Sequence, residues 1–244
     1  MAAGAEAEIV VIRNLTADDV ARSVETVSKK IADSQIVFIP GGFSGGDEPD
    51  GSAKFITAFF RNPAVKEQVT KLLDDRDGLM CGICNGFQAL IKLGLVPYGK
   101  ILDTDANCPT LTFNTIARHQ SKIVQTRIAS NNSPWLRLMN VGDIVNVPIS
   151  HGEGRFYAPE ALALELAAKG QIATQYVDLN GNPTMDTAFN PNGSLFAIEG
   201  ITSPDGRVFG KMGHSERIGA GLYKNVPGNY DIRMFESAVK YFKG

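Results

Sequence analysis

The chain contains three features with the residue types needed for chemistry at a carbonyl carbon. They are a cysteine in a glycine-flanked turn, two histidines that each stand two residues before a carboxylate, and a loop made largely of glycine. The cysteine lies in Gly82-Ile83-Cys84-Asn85-Gly86. The small and apolar run Gly78-Leu79-Met80-Cys81 leads in, and the helical pattern Phe87-Gln88-Ala89-Leu90-Ile91-Lys92-Leu93 leads out. This order predicts a strand, a sharp turn and a helix with Cys84 at the apex, the geometry of a nucleophile elbow. Glycines two before and two after allow a strained turn to form against neighbouring backbone. The helix N-terminus should favour the thiolate, so Cys84 is the candidate nucleophile. A lone cysteine more often packs as a small hydrophobe, and the elbow pattern is what argues against that here. Cys81 and Cys84 also form a C-x-x-C pair. Redox use of that motif needs its first cysteine at a helix start, whereas Cys81 lies back in the strand. Cys108, in Asn107-Cys108-Pro109, reads as structural.

A thiol nucleophile needs a base. His214 lies in Lys211-Met212-Gly213-His214-Ser215-Glu216-Arg217, and an extended chain would put His214 and Glu216 on one side. The carboxylate could then hold the imidazole tautomer. His151, in Ser150-His151-Gly152-Glu153-Gly154-Arg155-Phe156, has the same spacing to Glu153 and is a rival base; His119 has no such neighbour and reads as structural. The loop Pro40-Gly41-Gly42-Phe43-Ser44-Gly45-Gly46-Asp47 follows a predicted strand. It should therefore sit at the carboxyl edge of a sheet, where α/β folds bind ligands. Without a following Gly-Lys-Ser/Thr it is not a phosphate loop. A backbone N–H of Gly42 or Phe43, paired with that of Asn85, would form an oxyanion hole.

Alternating strand and helix patterns position these residues. Glu8–Arg13 reads as a buried strand, and Val20, Val24, Val27 and Ile31 mark a helix capped by Asn14 or Thr16. Gln35–Ile39 is a strand, and Val65, Val69, Leu72 and Leu73 mark a helix before the cysteine strand. This alternation predicts parallel strands with crossover helices. Beyond Leu95 it weakens. Ser121–Ile128 and Asp143–Ile149 read as strands, antiparallel in part. Pro159–Ala168 reads as a helix, Ile172–Val177, Leu195–Ile201 and Val208–Met212 as short strands, and Met234–Phe242 as a last helix. With no repeat or linker, the 244 residues read as one domain.

Composition narrows the function classes. A net charge of −2 with no basic block gives nucleic-acid binding no electrostatic support. No apolar run approaches the roughly 18 residues of a membrane span, and the start lacks signal-peptide features. Three cysteines do not make a disulfide framework, so a reducing cytoplasm is the simplest setting.

The cysteine motif followed by Gln88, together with a C-terminal His-x-Glu, resembles the class I (triad) glutamine amidotransferases. The four segments around Gly42, Cys84, His151 and His214, in that order, are similar to the amidotransferase part of the phosphoribosylformylglycinamidine synthase family. The resemblance implies an α/β, flavodoxin-like fold with a mostly parallel central sheet flanked by helices and a small antiparallel sheet. It assigns Cys84, His214 and Glu216 as the triad, leaving His151 outside it. It makes Gln88, His151, Glu153 and Arg155 candidates for binding glutamine, and Glu153 and Arg155 candidates for the synthase interface as well. The implied activity is glutamine hydrolysis to glutamate and ammonia. The ammonia would pass to a synthase domain or subunit that uses ATP and Mg to convert formylglycinamide ribonucleotide to formylglycinamidine ribonucleotide in purine biosynthesis. No cofactor or metal is expected in this chain. Family members begin with a further strand and helix before the segment matching Glu6–Arg13, which this chain lacks; residues 1–6 resemble the end of that helix. The extended C-terminal part resembles the domain of a longer synthase polypeptide. Two other readings remain: a peptidase-like cysteine hydrolase of the same fold, and a catalytically silent interaction domain.

Overall fold

The structure, a computed structural model, describes residues 2–43 and 51–244. Its helices are α1 (Ala17–Asp33), α2 (Lys54–Phe60), α3 (Pro63–Thr70), α4 (Asn85–Leu93), α5 (Leu95–Tyr98), α6 (Glu160–Ala168) and α7 (Met234–Lys243). Its strands are β1 (Ile36–Ile39), β2 (Leu79–Ile83), β3 (Thr110–Thr112), β4 (Gln120–Ile128), β5 (Ile144–His151), β6 (Arg155–Tyr157), β7 (Ile172–Tyr176), β8 (Ile198–Thr202) and β9 (Val208–Lys211).

One seven-stranded sheet runs β1-β2-β9-β8-β7-β4-β5, and β3 and β6 form the small antiparallel sheet. β1, β2 and β9 are mutually parallel, whereas β8, β7, β4 and β5 extend the sheet by antiparallel pairing. Helices cover both faces. Ile39 lies against Gly86 of α4, and Phe38, on the opposite face by strand alternation, meets Phe235 of α7 edge-on with centroids 5.4 Å apart. The core is the apolar set between these layers, with Phe87, Leu90, Phe209 and Trp135 fully buried.

The parallel part sets up the site. Ile39 is level with Gly82, and Gly82 with Gly210. The carboxyl ends of β1, β2 and β9 therefore lie side by side, and the Gly41 loop, Cys84 and the His214 segment all leave the sheet at one edge. In open α/β sheets, this edge is the ligand-binding one.

Two sequence expectations need correction here. Glu8–Arg13 is not a strand. Val10 and Ile12 pack on the core, but Ile9 and Val11 are 90% and 72% exposed. The segment is held to α1 by Arg13 and Ser23, whose backbone and hydroxyl exchange hydrogen bonds. Its apolar alternation finds packing on one side but no strand to pair with. Leu195–Ile201 also starts differently: Leu195–Ala197 is a 3-10 turn, with Phe196 at φ 51°, before β8 begins. α2, α5, β3 and β6 were not anticipated. They are short, and two of them lie in segments without clear periodicity.

Candidate active site

Cys84 occupies the turn between β2 and α4 with φ 53° and ψ −108°. A non-glycine residue held in such a region stores about 1–3 kcal/mol of strain. Its flanking glycines are required sterically. A Cβ on Gly82 would stand 2.5 Å from the Gly86 backbone, and one on Gly86 only 2.1 Å from the Ile39 carbonyl oxygen. The Cys84 N–H donates to the Lys211 carbonyl at 2.9 Å, tying the turn to the end of β9.

The environment of the sulfur differs from the expected thiolate. Burial pushes the Cys84 thiol up to about 11, against the lowering influence of the Asn85 N–H, Arg217 and the Gly42 N–H. Desolvation outweighs the helix terminus, so the Cys84 thiol form is favoured. The Asn85 and Gly42 N–H groups nevertheless approach the sulfur closely enough to act against that rise. Phe43 follows them, 87% exposed, at the rim. The rest of that motif, Ser44–Asp47, lies outside the described residues.

His214 is buried, and its Nδ1 lies 2.6 Å from Glu216 Oε1. The His214 hydrogen bond and charge hold Glu216 below the usual carboxylate range, although burial alone would raise it. An ionised carboxylate only accepts, so Nδ1 carries a proton toward Glu216. The pairing arises from a turn rather than an extended strand: the Arg217 N–H returns to the His214 carbonyl at 3.1 Å. A Cβ on Gly41 would lie 2.6 Å from His214 Cε1 and 3.1 Å from Cys84 Cβ. A glycine there leaves the space that the His214 ring and the Cys84 side chain both border.

Cys84, His214, Gly42, Phe43, Asn85, Gln88, His151 and Glu153 border one cavity of about 330 Å³, and Arg155 does not. Arg155 sits on β6 with its guanidinium 5.9 Å from the Tyr157 ring centroid. Gln88 donates through Nε2 to the Glu153 carbonyl, which joins α4 to the loop after β5. Glu153 Oε2 accepts from the Ser52 hydroxyl at 2.8 Å. His151 is buried, and neither ring nitrogen has a hydrogen-bond partner among the described residues. Burial, with a smaller contribution from His214 and His119, pushes it down to about 3, so the ring is neutral.

Several cavity residues were missed in the sequence. His119, expected to be structural, lines the cavity with Nε2 3.1 Å from Ser150 Oγ. Ser52 and Arg217 line it too. Arg217 was visible as the last residue of the His214 motif, whereas Ser52 and His119 are brought in only by the fold. Cys81 is fully buried in β2 and Cys108 half-buried, and all three cysteines are free thiols. Among the described residues no group of three or more His, Cys, Asp or Glu side chains could hold a metal ion, and no helix is long and apolar enough to cross a membrane.

Residues 1–242 match the CobB/CobQ-like glutamine amidotransferase domain family. The chain is 34% identical to the phosphoribosylformylglycinamidine synthase subunit PurQ of Methanococcus maripaludis, covering 98% of this chain and 89% of that protein. It is 32% identical to the same subunit of Salinibacter ruber, covering 92% and 86%. The structure resembles that of PurLQS from Thermotoga maritima with a TM-score of 0.64 at 26% identity, covering 86% of this chain and 81% of that one. Cysteine elbow, sheet order and these likenesses agree: the chain belongs to the CobB/CobQ-like glutamine amidotransferase domain family, as a class I domain homologous to PurQ.

Proposed function

We propose that this chain hydrolyses glutamine through a Cys84–His214–Glu216 triad and supplies the ammonia to a formylglycinamidine ribonucleotide synthase. The observation that carries the reading is the convergence, on one cavity, of a buried thiol, a histidine bonded to a carboxylate at 2.6 Å and two backbone N–H groups close to the sulfur.

The side-chain amide of glutamine enters with its carbonyl oxygen toward the N–H groups of Asn85 and Gly42, Phe43 being the alternative donor. His214 Nε2 takes the Cys84 proton as sulfur attacks the amide carbon, which overcomes the high resting thiol pKa in the same step. Glu216 holds the imidazolium that forms. The tetrahedral oxyanion collapses, His214 protonates the departing ammonia, and an acyl-thioester remains on Cys84. Water, deprotonated by His214, then releases glutamate. Gln88 and Glu153 shape the wall nearest α4, and neutral His151 offers a hydrogen bond to the substrate. Arg155, away from the cavity, is better suited to an interface.

The relatives are subunits of phosphoribosylformylglycinamidine synthase, which supports assigning the ammonia to the ATP-dependent conversion of formylglycinamide ribonucleotide to formylglycinamidine ribonucleotide. ATP and Mg would be held by the synthase partner. The test is glutamate release from glutamine with and without that partner. Weak activity alone that rises with the partner is expected. Peptide cleavage without glutamine hydrolysis would overturn the reading in favour of a peptidase-like hydrolase.

A further inference from the structure

Two buried charges lie directly beneath the His214 turn. Lys211, the last residue of β9, and Glu199, on β8, have side chains with no solvent exposure, and their charged atoms are 3.2 Å apart. Both stand alone in apolar strands, Ile198-Glu199-Gly200-Ile201 and Val208-Phe209-Gly210-Lys211. Two charges taken out of water are retained only where geometry and hydrogen bonding are complete.

Here they are complete, and nearly every bond ends on the turn. Lys211 Nζ has three protons to give. One goes to the Gly213 carbonyl at 3.0 Å, one to Ser215 Oγ at 2.8 Å and one to Glu199 Oε1. Glu199 Oε1 also accepts the Gly213 N–H at 2.5 Å, and its Oε2 accepts from Thr174 Oγ1 at 2.5 Å. Gly213 is therefore held by both its N–H and its carbonyl, and Ser215 by its hydroxyl. These two residues flank His214. The third tie is the His214 N–H to the Pro148 carbonyl of β5 at 2.9 Å. Space is equally tight: a Cβ on Gly213 would meet Val147 at 2.5 Å and Glu199 Oε1 at 2.9 Å.

We infer that Lys211 and Glu199 are positioning residues for glutamine hydrolysis: their buried ion pair clamps the backbone on both sides of His214 and so fixes the base against Cys84. The inference rests on the proposed triad. Lys211 adds a smaller second effect: burial works against an ionised Glu216, and the Lys211 charge joins the stronger His214 hydrogen bond and charge in lowering it.

The test measures inactivation of the full chain by 6-diazo-5-oxo-L-norleucine, separating the maximal rate, kinact, from the half-saturating concentration, KI, with thermal unfolding as a control. Lys211→Met leaves Glu199 buried and unpaired, so it should lower the unfolding midpoint and reduce kinact about tenfold or more, with KI little changed. The double variant Lys211→Met with Glu199→Gln removes both charges. Its unfolding midpoint should return toward wild type while kinact stays at least about fivefold low, because the bonds to Gly213 and Ser215 are still missing. Ser215→Ala buries no unpaired charge and keeps the test open if the charge variants fail to fold; its kinact should fall about threefold. Wild-type kinact in the double variant or in Ser215→Ala would overturn the inference. Absence of any labelling in the folded wild type is a different result, which would overturn the triad reading and this inference with it.

Discussion

The molecule contains two His-x-Glu segments of identical spacing, one after β9 and one at the end of β5, and the fold treats them oppositely. After β9 the chain turns at Ser215, and Glu216 comes to 2.6 Å from His214 Nδ1. After β5 the chain bends at Gly152, Glu153 bonds to Ser52, and His151 keeps both ring nitrogens unpartnered among the described residues. Asn114 fixes this second path by donating to the His151 carbonyl at 2.9 Å and accepting the Gly154 N–H at 3.2 Å. A Cβ on Gly154 would stand 2.3 Å from the His151 ring. Spacing alone does not make a dyad. The backbone between the two residues decides whether the carboxylate reaches the ring: Nδ1 of His214 is braced by Glu216, whereas burial holds the His151 ring neutral.

The largest expected difference between the segments is in turnover. His214→Asn should reduce glutaminase kcat by about a thousandfold or more, as loss of a general base does when the nucleophile is a thiol of high pKa. His151→Asn should act mainly on KM. Equal losses of kcat from steady-state kinetics would erase the distinction.

A smaller contrast separates the carboxylates. Glu216→Gln removes the acceptor that fixes the His214 tautomer and should cost about a hundredfold or more in kcat. Glu153→Gln keeps a carbonyl oxygen for Ser52 and should stay within about tenfold. A reversed order would move the catalytic carboxylate to the β5 segment.

The last contrast is in stability against acid rather than in turnover. His151 is held neutral in the folded chain at a pKa of about 3, whereas in the unfolded chain it takes up a proton below about 6.5. Unfolding therefore binds a proton between these values. The contribution is fully present above the unfolded value and is lost as pH falls toward the folded one, by about 1.4 kcal/mol per unit. Thermal unfolding of His151→Gln should accordingly be less steeply acid-sensitive than that of wild type between pH 6 and 4. Parallel pH profiles would contradict the burial of a neutral ring.

The two segments also mark the limit of what could be read from the chain. Cys84 was legible because an elbow needs glycines at fixed offsets, and the structure shows both glycines jammed against backbone. α1, β1, β2, β4, β5, β7, β8 and β9 followed from periodicity, because each buries one face or both. The separation of His214 from His151 was not legible from spacing, since it depends on a turn and on Asn114, some forty residues away in sequence. The resting state of Cys84 was misjudged for a related reason: a helix terminus is visible in a sequence, but depth of burial is not. Lys211 and Glu199 left a trace that was overlooked, as single opposite charges within apolar strands. Glu8–Arg13 had the alternation of a strand, yet pairing needs a neighbour that its own residues do not specify.

The most direct test of the central claim is mass spectrometric mapping after incubation with 6-diazo-5-oxo-L-norleucine, a glutamine analogue that alkylates a reactive cysteine. The account predicts one adduct, on Cys84, that excess glutamine suppresses, with Cys81 and Cys108 unmodified. A folded chain with no adduct at Cys84, or with labelling that glutamine does not suppress, would contradict it.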